Sequence, residues 1–284
     1  MTADDKSTIR SRELGDALRL AMERANINGK YAARLLKWSE TKVSRMLTGR
    51  QTPMKETDVA QLLTLCSVTG EEFDSLMALA REYNQRGWLQ SGSGLPEQLR
   101  TLISHERRAT EITEFQPSFV PGLLQTPDYA RALLGRSALV PPERLAEAVQ
   151  ARANRQNLFS RSRPPQFTFY LHELIFHLPV GGPAVMSAQM HHLLQMSVRA
   201  YITIRVIPAA IGAHAGAAGG CHLFESAEFG PVSYIEAEAV GLFLETSAEV
   251  NSYRRIFTAF ANSALDARES KDLIADLAVR LYAD

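Results

Sequence analysis

The chain has 284 residues, 45% of them hydrophobic, and 31 Lys and Arg balance 31 Asp and Glu. That length exceeds a lone binding module and fits two domains, and the apolar share is enough to bury cores. Cys66 and Cys221 lie far apart in no metal-spaced pattern, which excludes a disulfide framework and a zinc site of the usual spacing and suits a reducing compartment.

No apolar run approaches the roughly 20 residues that span a bilayer. The N-terminus MTADDKSTIR lacks the apolar core of a signal peptide, so a cytoplasmic protein with no membrane partner is expected. Charge is unevenly spread. Residues 1–55 hold twelve Lys and Arg against six Asp and Glu, whereas residues 90–284 hold seventeen against nineteen. A basic end on a slightly acidic body is the distribution expected when one end meets phosphates.

In chain order, residues 10–83 read as five short helices. Leu14, Ala17, Leu18, Ala21 and Met22 share one face of a helix over 12–24. A short helix over 30–36 follows, then one over 39–47 that Gly49 stops, with Pro53 beyond. A fourth runs over 57–66, and Thr69 to Glu72 resembles a capping box opening the fifth. Residues 86–96, RGWLQSGSGLP, read as a hinge.

Beyond it, 97–114 reads as a charged helix and Pro117 to Gln125 as an apolar turn. Thr126-Pro127-Asp128 starts a helix, and a longer one spans 143–159. Strands are predicted over 167–171, 202–207, 222–225, 232–236 and 241–244, with helices over 185–198, 248–263 and 270–282. The expected fold is α+β: an all-α five-helix head (1–85), a linker (86–96), and a larger α+β body (97–284) with a small mixed sheet flanked by helices.

The stretch Gly29 to Gly49 carries the sharpest signal. Two helices that cross closely need a small residue, supplied by Ala33, and apolar residues to lock them, supplied by Leu36, Trp38, Val43 and Met46. Ser39 caps the second helix. Its outer face, Glu40, Thr41, Lys42, Ser44 and Arg45, is then free to enter a DNA major groove. Arg45 suits a bidentate bond to guanine, Thr41 a thymine methyl or phosphate, and Glu40 a cytosine amine. Lys42 and Arg50 suit backbone phosphates, which fix orientation rather than sequence. The candidate DNA-binding set is Ser39, Glu40, Thr41, Lys42, Ser44, Arg45 and Arg50.

From Leu35 to Gly49, LLKWSETKVSRMLTG resembles the XRE-type (phage-repressor-like) helix-turn-helix of actinobacterial regulators, whose usual form is close to LGWSQSKVSRIERG. Three departures stand out. Lys37 replaces a turn glycine, Glu40 replaces glutamine, and Met22 and Leu47 are apolar where many relatives pair arginine with glutamate. Contact between Met22 and Leu47 is expected to replace that ion pair.

The resemblance continues in the body. TEFQPSFVPGLLQTPDYARAL (113–133), ARANRQNL (151–158), LPVGGPAVM (178–186) and IRVIPAAIGAH (204–214) are similar to WhiJ-like regulators. That resemblance implies a partner, a small BldB-like protein, in an antitoxin-like or developmental switch.

An enzymatic body is the rival. His172-Glu-Leu-Ile-Phe-His177 has one residue too many for a zinc-protease HExxH. His191-His192 are adjacent and diverge. Cys221 beside His222, with His214 upstream, is adjacency rather than attack geometry. Gly181-Gly182-Pro183 and Gly212–Gly220 match no phosphate loop, and the second reads as a mobile loop. The sequence therefore predicts no enzyme, cofactor or metal. It predicts a homodimeric, sequence-specific DNA-binding transcriptional regulator whose body receives a partner protein or ligand. The alternatives are a protein-interaction adaptor with a degenerate head, and a ligand sensor with no protein partner.

Overall fold

The computed structural model of the protein describes residues 8–50, 54–82, 88–91, 95–237 and 240–282. The chain divides into two compact units, one of residues 1–88 with 243–246, the other of residues 89–242 with 247–284.

The first unit is built on α1 (Ile9–Arg24), α2 (Gly29–Leu36), α3 (Glu40–Leu47), α4 (Glu56–Leu65) and α5 (Gly70–Glu82). Leu14, Leu18, Val59, Leu62 and Leu63 are fully buried in its core. Met22 joins that core, and Leu47 packs against it. Residues 243–246 count with this unit, and the Ile9 N–H donates to Glu245 Oε2 at 3.0 Å.

Backbone meets backbone where α1 crosses the end of α3. A Cβ on Gly15 would stand 2.8 Å from the Leu47 carbonyl, and one on Gly49 2.6 Å from the Ser11 carbonyl. Gly49 also has φ +67°, so it is both the stop after α3 and the only residue type that fits there. The Ser11 hydroxyl closes the contact with a 2.8 Å bond to the Gly49 carbonyl.

The second unit is an α+β body. Its strands are β1 (Trp88–Ser91, counted here from Leu89), β2 (Glu111–Gln116), β3 (Gln166–His172), β4 (Ile202–Ile207), β5 (Cys221–Glu225), β6 (Val232–Ala237) and β7 (Val240–Leu244, counted here to Leu242), in the order β1-β7-β6-β5-β2-β3-β4. β2, β3 and β4 run parallel, and β5 and β6 join antiparallel. Its helices are α6 (Leu95–Arg108), α7 (Pro127–Leu134), α8 (Leu145–Arg155), α9 (Pro183–Met196), α10 (Ser247–Ser263) and α11 (Ala267–Tyr282).

Two expectations change here. The stretch 97–114, read as one helix, ends as helix at Arg108 and becomes β2, a central strand. The stretch 86–96, read as a hinge, contains β1; residues 86–87 and 92–94 lie outside the described residues.

The two faces of the sheet differ because side chains alternate along a strand. One face carries Phe115, Tyr170, Ile207, Cys221 and Leu223, which pack with Phe257 and Phe260 of α10. Gly216 lies flush on this face, since a Cβ there would fall 2.4 Å from Phe115 and Phe260. The glycine-rich loop read as mobile is therefore anchored at its centre.

The other face carries a row of register partners. Tyr234 pairs with His222, His222 with Glu114, Glu114 with Phe169, and Phe169 with Ile204. All five are buried. Beside the row, Arg155 of α8 donates twice to Glu106 of α6, at 3.1 and 2.6 Å. Gly122 leaves room for it: a Cβ there would approach Arg155 Nη1 to 3.1 Å.

Candidate nucleic-acid interface

The helix-turn-helix is assembled by caps and a tight turn. Asn28 Oδ1 accepts from the Tyr31 N–H at 2.8 Å and starts α2. Lys37 ends it in the left-handed conformation, φ 55°, where a glycine would be unstrained. That costs on the order of 1–2 kcal/mol, a strain that the 2.8 Å bond from the Trp38 N–H to the Ala33 carbonyl helps hold in place. Ser39 Oγ then accepts from the Lys42 N–H at 3.1 Å and starts α3. Ala33 is buried at the crossing, as its size requires.

Spacing along α3 separates its two faces. Val43 and Met46 are buried in the head, while Glu40, Thr41, Ser44 and Arg45 are exposed. An open concavity of about 600 Å³ runs along this outer face, lined by Arg19, Lys30, Glu40, Thr41, Ser44 and Arg45 among others. The Arg45 guanidinium has no partner among the described residues.

Three predicted contacts stand outside the concavity's lining. Ser39 and Arg50 are exposed at the two ends of α3. Lys42 is engaged within the head instead: its ammonium sits 2.7 Å from Asp58 in the first turn of α4 and 3.9 Å from the centre of the Trp38 ring. Two basic residues that sequence reasoning missed line the concavity, Arg19 and Lys30. Arg19 donates to the Leu47 carbonyl at 2.7 Å, placing a cation at the negative end of α3, with Asp16 at 3.2 Å. Its position on the polar face of α1 was legible. Its proximity to α3 is a tertiary fact.

The body's candidate chemistry separates in space. Cys221 and His222 are consecutive on β5, so their side chains point to opposite faces. Cys221 packs with Phe115 and Phe260, and burial, then Glu114, pushes its thiol up to about 12. His222 Nδ1 lies 3.6 Å from Glu114 Oε2. Burial pushes the Glu114 carboxyl up to about 7, and burial pushes the His222 imidazole down to about 4.

His172 Nδ1 accepts from the Leu174 N–H at 3.1 Å, and His177 stands 3.9 Å from Glu173. His191 is exposed and bonds the Ser187 carbonyl in its own helix, at 2.8 Å. Among the described residues no three His, Cys, Asp or Glu side chains converge as a metal site, and no described helix is long and apolar enough to cross a membrane.

A five-helix head with a helix-turn-helix, joined to an α+β body, defines a class of two-part proteins in which the head addresses nucleic acid. Residues 13–76 match a family model described as Helix-turn-helix domain. Residues 99–276, more than half of the chain, match the model described as Domain of unknown function (DUF5753), and the chain belongs to that family. No curated protein matches the chain. The helix-turn-helix head implies DNA binding.

Proposed function

We propose that the chain is a sequence-specific, XRE-type transcriptional regulator of the WhiJ-like, antitoxin-like kind found in actinobacteria. It acts in the cytoplasm as a homodimer with no enzymatic activity or cofactor. Its body receives a partner protein, a small BldB-like protein being the one the resemblance suggests, or a ligand. The observation that carries this reading is the division of α3, with Val43 and Met46 buried and Glu40, Thr41, Ser44 and Arg45 presented along an open concavity. Dimerisation follows from recognition itself, because one head contacts few base pairs and two half-sites supply useful specificity.

The test is titration of the full chain with duplex DNA from upstream of its own gene. Arg45→Ala is expected to lose about 1–3 kcal/mol of specific binding, roughly five- to 150-fold. Equal binding by both proteins removes Arg45 from the readout. The adaptor reading draws on Lys37, left-handed in the turn, and on Glu40, which lines the concavity with a charge that repels phosphate. It predicts that no duplex is bound.

Lys42 separates two roles. As a phosphate contact its loss would lower the salt slope of DNA binding by about one. Its bond to Asp58 and seat on Trp38 support a positioning role. Lys42→Ala is accordingly expected to cost the head about 1 kcal/mol in denaturant unfolding and to leave the salt slope unchanged. A slope lowered by one with unchanged stability would restore the phosphate role.

A further inference from the structure

The end of the body's sheet where its parallel strands begin carries a concentration of cations that the head's chemistry does not use. Arg107 comes from the last turn of α6, just before β2. Arg161 and Arg163 come from the segment entering β3, and Arg199 from the turn entering β4. The three strands are adjacent and in register, with Glu111 beside Gln166 and Phe167 beside Ile202. Their entry segments therefore lie side by side at the strand spacing of about 4.8 Å.

Direct contacts hold two of these side chains, Arg161 and Arg199. Arg161 Nη1 donates to the Arg107 carbonyl at 2.7 Å. Arg199 Nη1 donates to the Tyr201 hydroxyl at 2.9 Å, and that hydroxyl donates to the Phe159 carbonyl at 2.7 Å. Pro164 and Pro165 stiffen the chain after Arg163.

All four arginines are exposed, and among the described residues none has a carboxylate within ion-pairing distance. The acidic groups at this end are few. Glu111 and Glu228 are exposed, and Glu225 is taken by Arg254 at 2.7 Å. A body whose composition is slightly acidic thus gathers, at one end, guanidinium groups with no carboxylate partner among the described residues.

Among the described residues the row lacks what a protein interface needs at its centre, a cluster of apolar anchors; of these residues, Val198 is the large hydrophobic strongly exposed beside it. It has what a phosphate backbone needs, fork-shaped donors on a rigid edge. A chain whose head holds DNA also keeps duplex near its body at high effective concentration.

We propose that Arg107, Arg161, Arg163 and Arg199 form a second, sequence-independent DNA contact that engages backbone phosphates outside the site read by α3. The proposal rests on the DNA-binding reading of the head.

The experiment measures binding of the full chain to upstream DNA and to a random-sequence duplex across a salt series. The chains compared are the natural one, a quadruple variant (R107Q, R161Q, R163Q, R199Q), its lysine counterpart, and Arg45→Ala. Each lost phosphate contact lowers the slope of log affinity against log salt by about 0.9, so the glutamine variant, with four contacts removed, is expected to lose about 3.6 on both duplexes. The lysine variant is expected to keep the natural slope, and both variants the natural melting temperature.

An unchanged slope in the glutamine variant overturns the proposal, as does a loss that lysine does not restore. So does arginine-dependent binding of poly-glutamate with an unchanged DNA slope, which reassigns the row to an acidic protein. Arg45→Ala tells the two levels apart. Loss of preference for upstream DNA in that variant, with an unchanged slope in the glutamine variant, leaves the head reading standing and removes the row. Failure of the natural chain to bind any duplex removes both.

Discussion

Replacing Arg155 by methionine is expected to destabilise the body by about 3–5 kcal/mol, because it leaves the Glu106 carboxylate buried without its counter-charge. Both side chains are nearly inaccessible, at 6% and 2% exposure, so water cannot take over the lost bonds. Burial works against the Arg155 charge, but attraction and hydrogen bonding to Glu106, with further attraction to Glu114 and Glu236, together outweigh it and raise the guanidinium pKa. The pair joins α6 to the end of α8 through two hydrogen bonds, a geometry that lysine cannot reproduce. The double variant Glu106→Leu with Arg155→Met is expected to recover most of the loss, since apolar packing of similar volume often equals a buried ion pair. Denaturant unfolding followed by circular dichroism checks both. A single variant as stable as the natural chain would show that the pair does not hold the body together.

The second large effect concerns pH. The Glu114 carboxyl is raised from its ordinary 4.5 to about 7, so its contribution to stability is full below 4.5 and is lost as pH rises to 7. The His222 imidazole is lowered from 6.5 to about 4, so its contribution is full above 6.5 and is lost as pH falls to 4. Between 4.5 and 6.5 the two slopes oppose and nearly cancel: the folded pair keeps one proton on the carboxyl, and the unfolded chain keeps one on the imidazole. The natural pair therefore contributes almost no pH dependence in that window. Glu114→Gln is expected to uncover the histidine slope, with stability climbing by roughly 3 kcal/mol from pH 4 to 6.5. His222→Gln is expected to uncover the opposite slope, a decline over pH 4.5 to 7. Parallel pH profiles for all three proteins would mean that the two groups do not titrate as a buried pair.

The sequence made the helix-turn-helix and much of the sheet legible for a simple reason: both depend on short-range pattern. Ser39, Val43 and Met46 sit at helical spacing, and β4 occupies the residues predicted for it, Ile202–Ile207. The central strand β2 was hidden because its sequence, EITEFQ, reads as a solvated charged face. Glu114 lies inside with Gln116 donating to it at 3.1 Å and His222 arriving from another strand, neighbours that no local pattern announces. Lys42 was legible only in part. Its place on α3 suggested phosphate, and the local pattern gave no sign of its ion pair with Asp58, sixteen residues on. Pro121-Gly122 looked like a turn alone, yet Gly122 makes the space through which Arg155 passes.

The account stands on α3 reading base edges, and selection of binding sites from a pool of random duplexes tests that most directly. The full chain is expected to enrich a defined motif containing guanine, and Arg45→Ala, folded to the same melting temperature, is expected to lose the preference at that guanine. Enrichment of no motif, or of the same motif by both proteins, would contradict it.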